Sequence, residues 1–408
     1  MVSRPIAIVG AGPAGCMAAW HLARAGAPVL IFDPSHPREK PCGGGVTGRA
    51  LALAAEAIDL GSVPAVAVAA ARFASGDFRD GPAAEFGVDG AGGARLLVTS
   101  RRVFDRALLD AACRAGAVHV ALRVREVEVS AAGVTLHTTA GRHDAQWVLG
   151  ADGPASLVRR RFLAPFRRDQ LTLAVGVYAR GVTGRRVLVH TLADPPGYIW
   201  SFPRPDHLAI GICGPASGET PARLRAALDQ WVAATIPPAS RLDPYSWPIP
   251  SLAYGDFADA RAAGSRWMLA GDAAGLVDPL TREGIYFALE SGRLAAQAVL
   301  GGGDPAAGYQ EALRRDIYPE LARAAALKAR FFSSDFSDLL VEGLARSAAV
   351  RAVMVDLIAG QQPYRTLRRR LVSTLEVRLA WQLAKLQVTG VLTSRSSRRG
   401  RERAAHAR

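Results

Sequence analysis

Two short stretches of this sequence set residues where their types and spacing could do chemistry. Near the N-terminus an apolar run, Ile6 to Val9, leads into Gly10-Ala11-Gly12-Pro13-Ala14-Gly15. Further on, "KPCGGGVTGRAL", Lys40 to Leu51, places one thiol, Cys42, between Pro41 and the glycines Gly43, Gly44 and Gly45. The first pattern suits a pyrophosphate. Gly10 permits a tight turn, Gly12 lets phosphate approach the backbone at a helix N-terminus, and Gly15 lets helix pack closely on strand. Pro13, followed by Ala14, fits the first helical turn, where a missing N–H costs nothing. Asp33 ends the next apolar run and is placed to accept hydrogen bonds from ribose hydroxyls. Strand, glycine turn, helix, strand and acid together point to a dinucleotide site; the competing explanation is a purely structural turn.

Three later segments must return to that site. Thr99 to Ala117 has a helical spacing of Phe104, Leu108, Leu109 and Ala112, with Arg101 and Arg102 at its start. Trp147 to Phe162 runs from a short apolar strand through Gly150-Ala151-Asp152-Gly153 into a helix, and Asp152 can serve either a cofactor or the cap of that helix. Arg266 to Val299 contains a strand, Gly271-Asp272, a proline-containing loop, and a long helix following Gly284 and Ile285. Between them, Leu171 to Pro248 alternates apolar and polar residues in runs broken by Gly and Pro, which predicts an antiparallel sheet. On it Tyr198, Trp200 and Phe202 alternate and so share one face, either lining a pocket or filling the sheet core.

Composition limits the functions available. With 408 residues, half of them apolar, the chain can build two or three lobes with sizeable cores. It has no apolar run of membrane-spanning length, and the N-terminus is explained as strand, turn and helix rather than a leader, so a cytoplasmic protein is expected. Four cysteines without CxxC or zinc spacing predict neither a disulfide framework nor a metal. Eight scattered histidines, with no HExxH and no nucleophile elbow, argue against a hydrolase. The net charge of +14 is concentrated after Tyr364, where twelve Lys or Arg face two Glu, leaving a nearly neutral body that speaks against nucleic acid as a partner.

The ordered set GxGxxG, RxxFD at Arg101 to Asp105, GADGxxSxVR at Gly150 to Arg159 and GDAAGxxxPxxxEGI at Gly271 to Ile285 resembles the FAD-dependent oxidoreductases built like aromatic hydroxylases. Within that group PCGGG and "YIWSFP", Tyr198 to Pro203, resemble the geranylgeranyl reductase family over roughly residues 4 to 300. Arg282 departs from it, since the family more often has Gly before Glu-Gly.

The resemblance implies an α/β fold: a Rossmann-like FAD-binding domain of GR2 type from residues 1–70, 95–165 and 263–305, with an inserted antiparallel substrate sheet over 166–262. A helical region at 306–392 and a disordered basic tail at 393–408 complete the expected division. Arg101 would then lie near the FAD phosphates. Asp272 would accept from the ribityl chain, and the helix following Gly284 and Ile285 would aim its positive end at the flavin. Pro41, Gly43 and Gly44 would pass close to the flavin ring, and Tyr198, Trp200 and Phe202 would meet a hydrophobic isoprenoid.

The expected reaction is hydrogenation of carbon–carbon double bonds in a geranylgeranyl-type chain on a lipid or pigment precursor, by hydride from reduced flavin N5. NAD(P)H is the expected electron donor, although ferredoxin or a quinol would also serve. The second carbon of an isolated double bond needs a proton. Cys42 can give it, an ordinary thiol being mostly protonated at neutral pH, or it can simply pack or position substrate. A monooxygenase or halogenase on the same fold is the alternative. Finally, Thr366 to Gln387 spaces leucines as an amphipathic basic helix, which either docks on its own protein or touches anionic membrane.

Overall fold

The computed structural model describes residues 4–88, 96–237 and 241–374, without the side chains of 329 and 330. A six-stranded sheet forms the centre of the first lobe. Its order is Ala263–Gly264, Trp267–Leu269, Trp147–Gly150, Ile6–Val9, Val29–Phe32 and Val118–Val120; all neighbours are parallel except the first pair. Ile6, Ala7, Ile8 and Val9 are all buried, as expected of a parallel strand covered on both faces. The Pro13–Arg24 helix crosses the Ile285–Leu300 helix closely because both present small residues. A Cβ on Gly292 would lie 2.2 Å from the Ala14 carbonyl oxygen. A three-stranded antiparallel sheet, Val124–Ser130, Gly133–Thr138 and Gly141–Ala145, flanks this lobe.

The second sheet has seven strands, in the order Arg241–Pro250, Leu171–Arg180, His207–Pro215, Gly197–Pro203, Arg186–Leu192, Ala70–Ala74 and Ala83–Gly87. Two features add to the sequence-based division, which left residues 71–94 unassigned. Ala70–Ala74 and Ala83–Gly87 join this sheet, the former pairing in parallel with Arg186–Leu192. The stretch predicted as sheet alone also holds a helix, Pro221–Thr235, started by the Thr220 hydroxyl, which accepts from the Arg223 amide. Its Leu224, Leu228 and Trp231 cover Ile199, Ile210 and Ile212 on one sheet face. Arg241–Pro250 carries Pro244, Pro248 and Pro250 and pairs on one side only, the position where a missing N–H is tolerated.

The other face of this sheet meets the C-terminal helices. Helices Pro305–Asp316, Tyr318–Phe331, Ser334–Arg346, Ala348–Ile358 and Tyr364–Ser373 follow the first lobe. Phe332, Phe336, Leu340, Leu344 and Met354 pack with Phe73, Phe86 and Val187 into one apolar cluster. Leu367 and Leu371 are buried in it while Arg368 and Arg369 are exposed, so this part of the predicted amphipathic helix docks on its own protein. Leu375 to Gln387 and the basic tail lie outside the described residues. Cys16 and Cys213 are buried as expected, but Cys113 is only half-buried, because the end of its helix faces solvent. Among the described residues no helix is long and apolar enough to cross a membrane.

Candidate active site

A cleft of about 520 Å³ opens at the C-terminal ends of the parallel strands. Gly10, Gly12, Pro13, Ala14, Asp33, Arg101, Asp152, Gly271 and Asp272 all line it, so it gathers residues from all four predicted segments. Gly10 takes φ +104, and a Cβ there would stand 2.3 Å from the Ala151 carbonyl oxygen. Gly12 differs. A Cβ on it would meet nothing within 4 Å, so its backbone faces open space at a helix start that no side chain caps. Gly15 is a packing glycine, 2.0 Å being left between its would-be Cβ and the Gly10 carbonyl oxygen.

The acids around the cleft are held in distinct ways. Asp33 accepts from the Ala11 amide at 3.1 Å and the Ser35 amide at 2.9 Å. Burial works against its charge, but these hydrogen bonds outweigh it and keep the carboxyl below its usual range. Asp152 does cap its helix, Oδ2 accepting from Leu157 N at 2.6 Å, while its other oxygen is buried without a partner. Burial consequently raises its carboxyl above the usual range. Asp272 Oδ2 accepts from Lys40 Nζ at 3.0 Å, a partner the sequence reading missed. Its Oδ1 lies 3.5 Å from where a Cβ on Gly284 would be, which puts this carboxylate beside the uncapped start of the Ile285–Leu300 helix.

Arg101 is neither a surface residue nor an unengaged cation. It is 4% exposed and forks onto Asp105 with bonds of 2.9 and 2.7 Å. Burial opposes its charge, yet Asp105 more than offsets this and keeps the guanidinium charged. One edge of the guanidinium still borders the cleft.

The loop carrying Cys42 is anchored from three directions, and its glycines also answer to protein neighbours. Cβ atoms on Gly43 and Gly45 would lie 2.8 and 2.9 Å from the Phe202 ring. Gly44 takes φ +87, with only 2.2 Å between its would-be Cβ and the Thr99 carbonyl oxygen. Arg204, fully buried, donates to Glu39 Oε1 and to the Cys42 carbonyl, both at 2.7 Å. Glu39 in turn accepts from the amides of Arg101 and Arg102, capping that helix, and from the Ser100 hydroxyl. "PREKPC" and "FPRPD" contained both residues, but nothing in their spacing pairs Glu39 with Arg204. After the loop, Thr47 and Arg49 both donate to Glu283, fixing the residue before Gly284.

Cys42 itself is half-buried, and its sulfur accepts from the Gly44 amide at 3.3 Å. The loop around it faces the sheet: Gly43 and Gly45 lie against the Phe202 ring, and Arg204, bonded to the Cys42 carbonyl, has its guanidinium 5.0 Å from the Tyr178 ring centre. Tyr198, Trp200 and Phe202 share a sheet face with Tyr245 and Cys213. They differ in access: Tyr198 and Phe202 are half-buried, whereas the Trp200 ring lies flat over Gly211 and is 5% exposed. Trp200 is therefore floor rather than rim. Trp247, from the sheet's edge strand, lines the cleft beneath Arg38 and Lys40, 5.4 and 5.9 Å from its ring centre.

These residues fit a flavin dinucleotide. The open backbone at Gly12 and the uncapped helix start suit phosphate, Asp33 suits a ribose, the unpartnered Asp152 oxygen suits a donor, and Asp272 stands beside a second helix start. The fold and cleft define an FAD-dependent oxidoreductase. Residues 3–293 match the family described as FAD binding domain, and the chain belongs to it, among its geranylgeranyl reductase-like members. It is 32% identical over 332 residues to a menaquinone reductase of Mycobacterium tuberculosis, covering 72% of this chain and 76% of that protein. It is 30% identical over 368 residues to a digeranylgeranylglycerophospholipid reductase of Methanothrix thermoacetophila, covering 82% and 89%. A geranylgeranyl bacteriochlorophyll reductase-like structure from Thermoplasma acidophilum superposes with a TM-score of 0.76 at 23% identity, covering 91% of this chain and 99% of its own. A flavin-dependent brominase shares the fold with a TM-score of 0.67 at 20% identity, covering 91% and 99%.

Proposed function

We propose that the protein hydrogenates carbon–carbon double bonds of a prenyl chain on a lipid, quinone or pigment precursor. One observation carries this reading: the half-buried thiol Cys42 sits on a loop that Arg204 ties by the Cys42 carbonyl and that packs, through Gly43, against the Phe202 ring of the aromatic face. The likeness to a digeranylgeranylglycerophospholipid reductase at 30% identity supports it. Bound and reduced, FAD supplies a hydride equivalent. The chain's own residues do the rest: Tyr198 and Phe202 present apolar surface along which a hydrocarbon can lie, and Cys42 Sγ holds the proton that the second carbon requires. Arg204 and Glu39 keep that sulfur in place by fixing the carbonyl of its own residue.

NAD(P)H as the reductant belongs to the same proposal, bound transiently since no second glycine fingerprint marks a nicotinamide domain, with reduced ferredoxin or a quinol as the alternative donors. The basic segment after Tyr364 would bring the enzyme to an anionic membrane surface where prenyl lipids reside. Because Leu367 and Leu371 are buried, a vesicle-binding comparison should use a chain ending at Thr374. Equal sedimentation of full-length and shortened protein with anionic vesicles would remove that part. The reductase reading is tested anaerobically: the reduced protein is mixed with a geranylgeranyl lipid while flavin absorbance and product mass are followed. Reoxidation with two hydrogens gained per saturated bond is expected; no reoxidation until air is admitted would overturn it.

A further inference from the structure

Most cations around the seam between the lobes are answered by a carboxylate: Arg101 by Asp105, Lys40 by Asp272, Arg204 by Glu39 and Arg49 by Glu283. Two are not. Arg282 Nη1 donates to Ser251 Oγ at 2.6 Å, and Lys328 Nζ donates to the same oxygen at 2.7 Å. Among the described residues neither makes an ion pair. The adjacent carboxylate, Glu283, is taken by Thr47 and Arg49, and Asp278 is committed as well, Oδ1 to the amides of Leu280 and Thr281 and Oδ2 to the Tyr364 hydroxyl.

Two like charges thus converge on one hydroxyl that is 1% exposed. The serine oxygen accepts from both, and its own proton has no acceptor among the described residues. Arg282 Nη1 also donates to the Pro279 carbonyl, yet its Nε is buried without a partner. The backbone is held there against preference, since Arg282 takes φ 62, a conformation that favours glycine. Guanidinium, ammonium and hydroxyl approach from three chain segments and together lack a single negative partner. A tetrahedral oxyanion supplies what they share.

The position of the cluster says which oxyanion. The carbonyl of the preceding residue, Thr281, accepts from the Tyr198 hydroxyl at 2.9 Å. Lys328 is followed one turn later by Phe332, whose ring stacks on Tyr198 with centres 6.0 Å apart. Both cations therefore border the rim of the aromatic surface, and both remain only half-buried. We propose that Arg282, Lys328 and Ser251 form a binding site for a phosphate-class oxyanion carried on the polar end of the substrate, whose hydrocarbon then extends past Tyr198. This assignment rests on the prenyl reductase reading and adds to it a charged head group.

The test uses the full-length, FAD-loaded protein and calorimetric titration, so no turnover is needed. Three probes are compared: geranylgeranyl phosphate, the uncharged geranylgeraniol, and inorganic phosphate. The phosphate ester should bind at least tenfold more tightly than the alcohol. Arg282→Gly, which also relaxes the backbone, and Lys328→Met should each remove most of that difference while leaving alcohol binding unchanged. Ester and alcohol binding alike to the wild type, or a preference that survives in both variants, would overturn the site. Inorganic phosphate binding as tightly as the ester would overturn the head-group assignment in favour of a free ion. If neither prenyl probe binds while inorganic phosphate does and is lost in both variants, the prenyl reading fails and the oxyanion site stands without its head group.

Discussion

Arg204 offers the sharpest test of how the thiol is positioned. Replacing it with methionine keeps its length and removes every donor. Lost are the 2.7 Å bond to Glu39, the 2.7 Å bond to the Cys42 carbonyl and a longer one to the Gly43 carbonyl. Removing one partner of a buried ion pair costs about 3–5 kcal/mol, chiefly because the other charge stays behind. Here the lower end applies, since the Glu39 side chain is 23% exposed and keeps Ser100 and two backbone amides as donors. A loss of about 3 kcal/mol is expected in urea unfolding of the FAD-loaded protein.

Arg204→Lys should recover only part of it, because one ammonium cannot fork between a carboxylate and a carbonyl. The local effect should exceed the global one. With its carbonyl released, Cys42 should react severalfold faster with a thiol reagent, measured in a Cys113→Ser background so that the other half-buried thiol is silent. A double-mutant cycle with Glu39→Gln should show strong coupling. If Arg204→Met were within about 1 kcal/mol of wild type and left Cys42 labelling unchanged, the clamp would not exist as described.

Three further outcomes are expected. Cys42→Ala should lower the single-turnover rate of double-bond reduction by about 100-fold, the range for a lost proton donor, with FAD content intact; an unchanged rate would remove the donor role. Gly12→Ala should leave the apoprotein's stability within about 0.5 kcal/mol, because its Cβ meets no protein atom, yet FAD titration should show much weaker binding. Unaltered FAD affinity would mean that Gly12 does not face the dinucleotide. Lys328 should give stability an unusual pH dependence. Burial, helped by Arg282, lowers its ammonium from 10.5 to about 7, with the Cys213 thiol acting in the opposite sense. Between those values the unfolded chain binds a proton that the folded chain does not. The stability of wild type relative to Lys328→Met should therefore rise from pH 7 towards pH 10 and level off below 7. A pH-independent difference would contradict the burial of this ammonium beside Arg282.

The sequence made the cofactor lobe legible because its signals are local. Gly10, Gly12, Gly15 and Asp33 lie within one unit of strand, turn and helix and are recognisable by their spacing alone, although the close approach at Gly10 is to Ala151, just past a later strand. What stayed hidden depends on pairing between distant segments. Ala70–Ala74 reads as a short alanine-rich run with no alternation, and only its partner Arg186–Leu192 makes it a strand of the second sheet. Nothing in the sequence singles out Glu39, yet it joins a helix start, a sheet strand and the thiol loop because three elements converge on it. The glycines after Cys42 were recognisable as a device for close approach, but the sequence could not show that Phe202 is what approaches. The same limit applied to Trp200, whose alternation with Tyr198 and Phe202 gives its face but not the glycine of the next strand on which it lies.

That placement of Phe202 changes what the PCGGG loop is for. If the glycines served only to admit a flavin ring, alanine at Gly43 or Gly45 would chiefly affect cofactor binding. With the Phe202 ring 2.8 and 2.9 Å from those would-be Cβ atoms, either substitution must first displace the aromatic face or lift the loop. Overpacking of this kind costs about 1–3 kcal/mol and is relieved wherever the structure yields most easily. The loop is tied by Arg204 and by Thr99 N, which donates to the Gly44 carbonyl at 3.0 Å, so Phe202, half-buried at the pocket side, is the element that gives. The loop that holds the thiol therefore also sets the height of the surface on which a hydrocarbon would lie. On the proposed reading, one packing contact would fix both Cys42 and the chain position, so a substrate shifted along Tyr198 by a different head group would present a different double bond to the same sulfur.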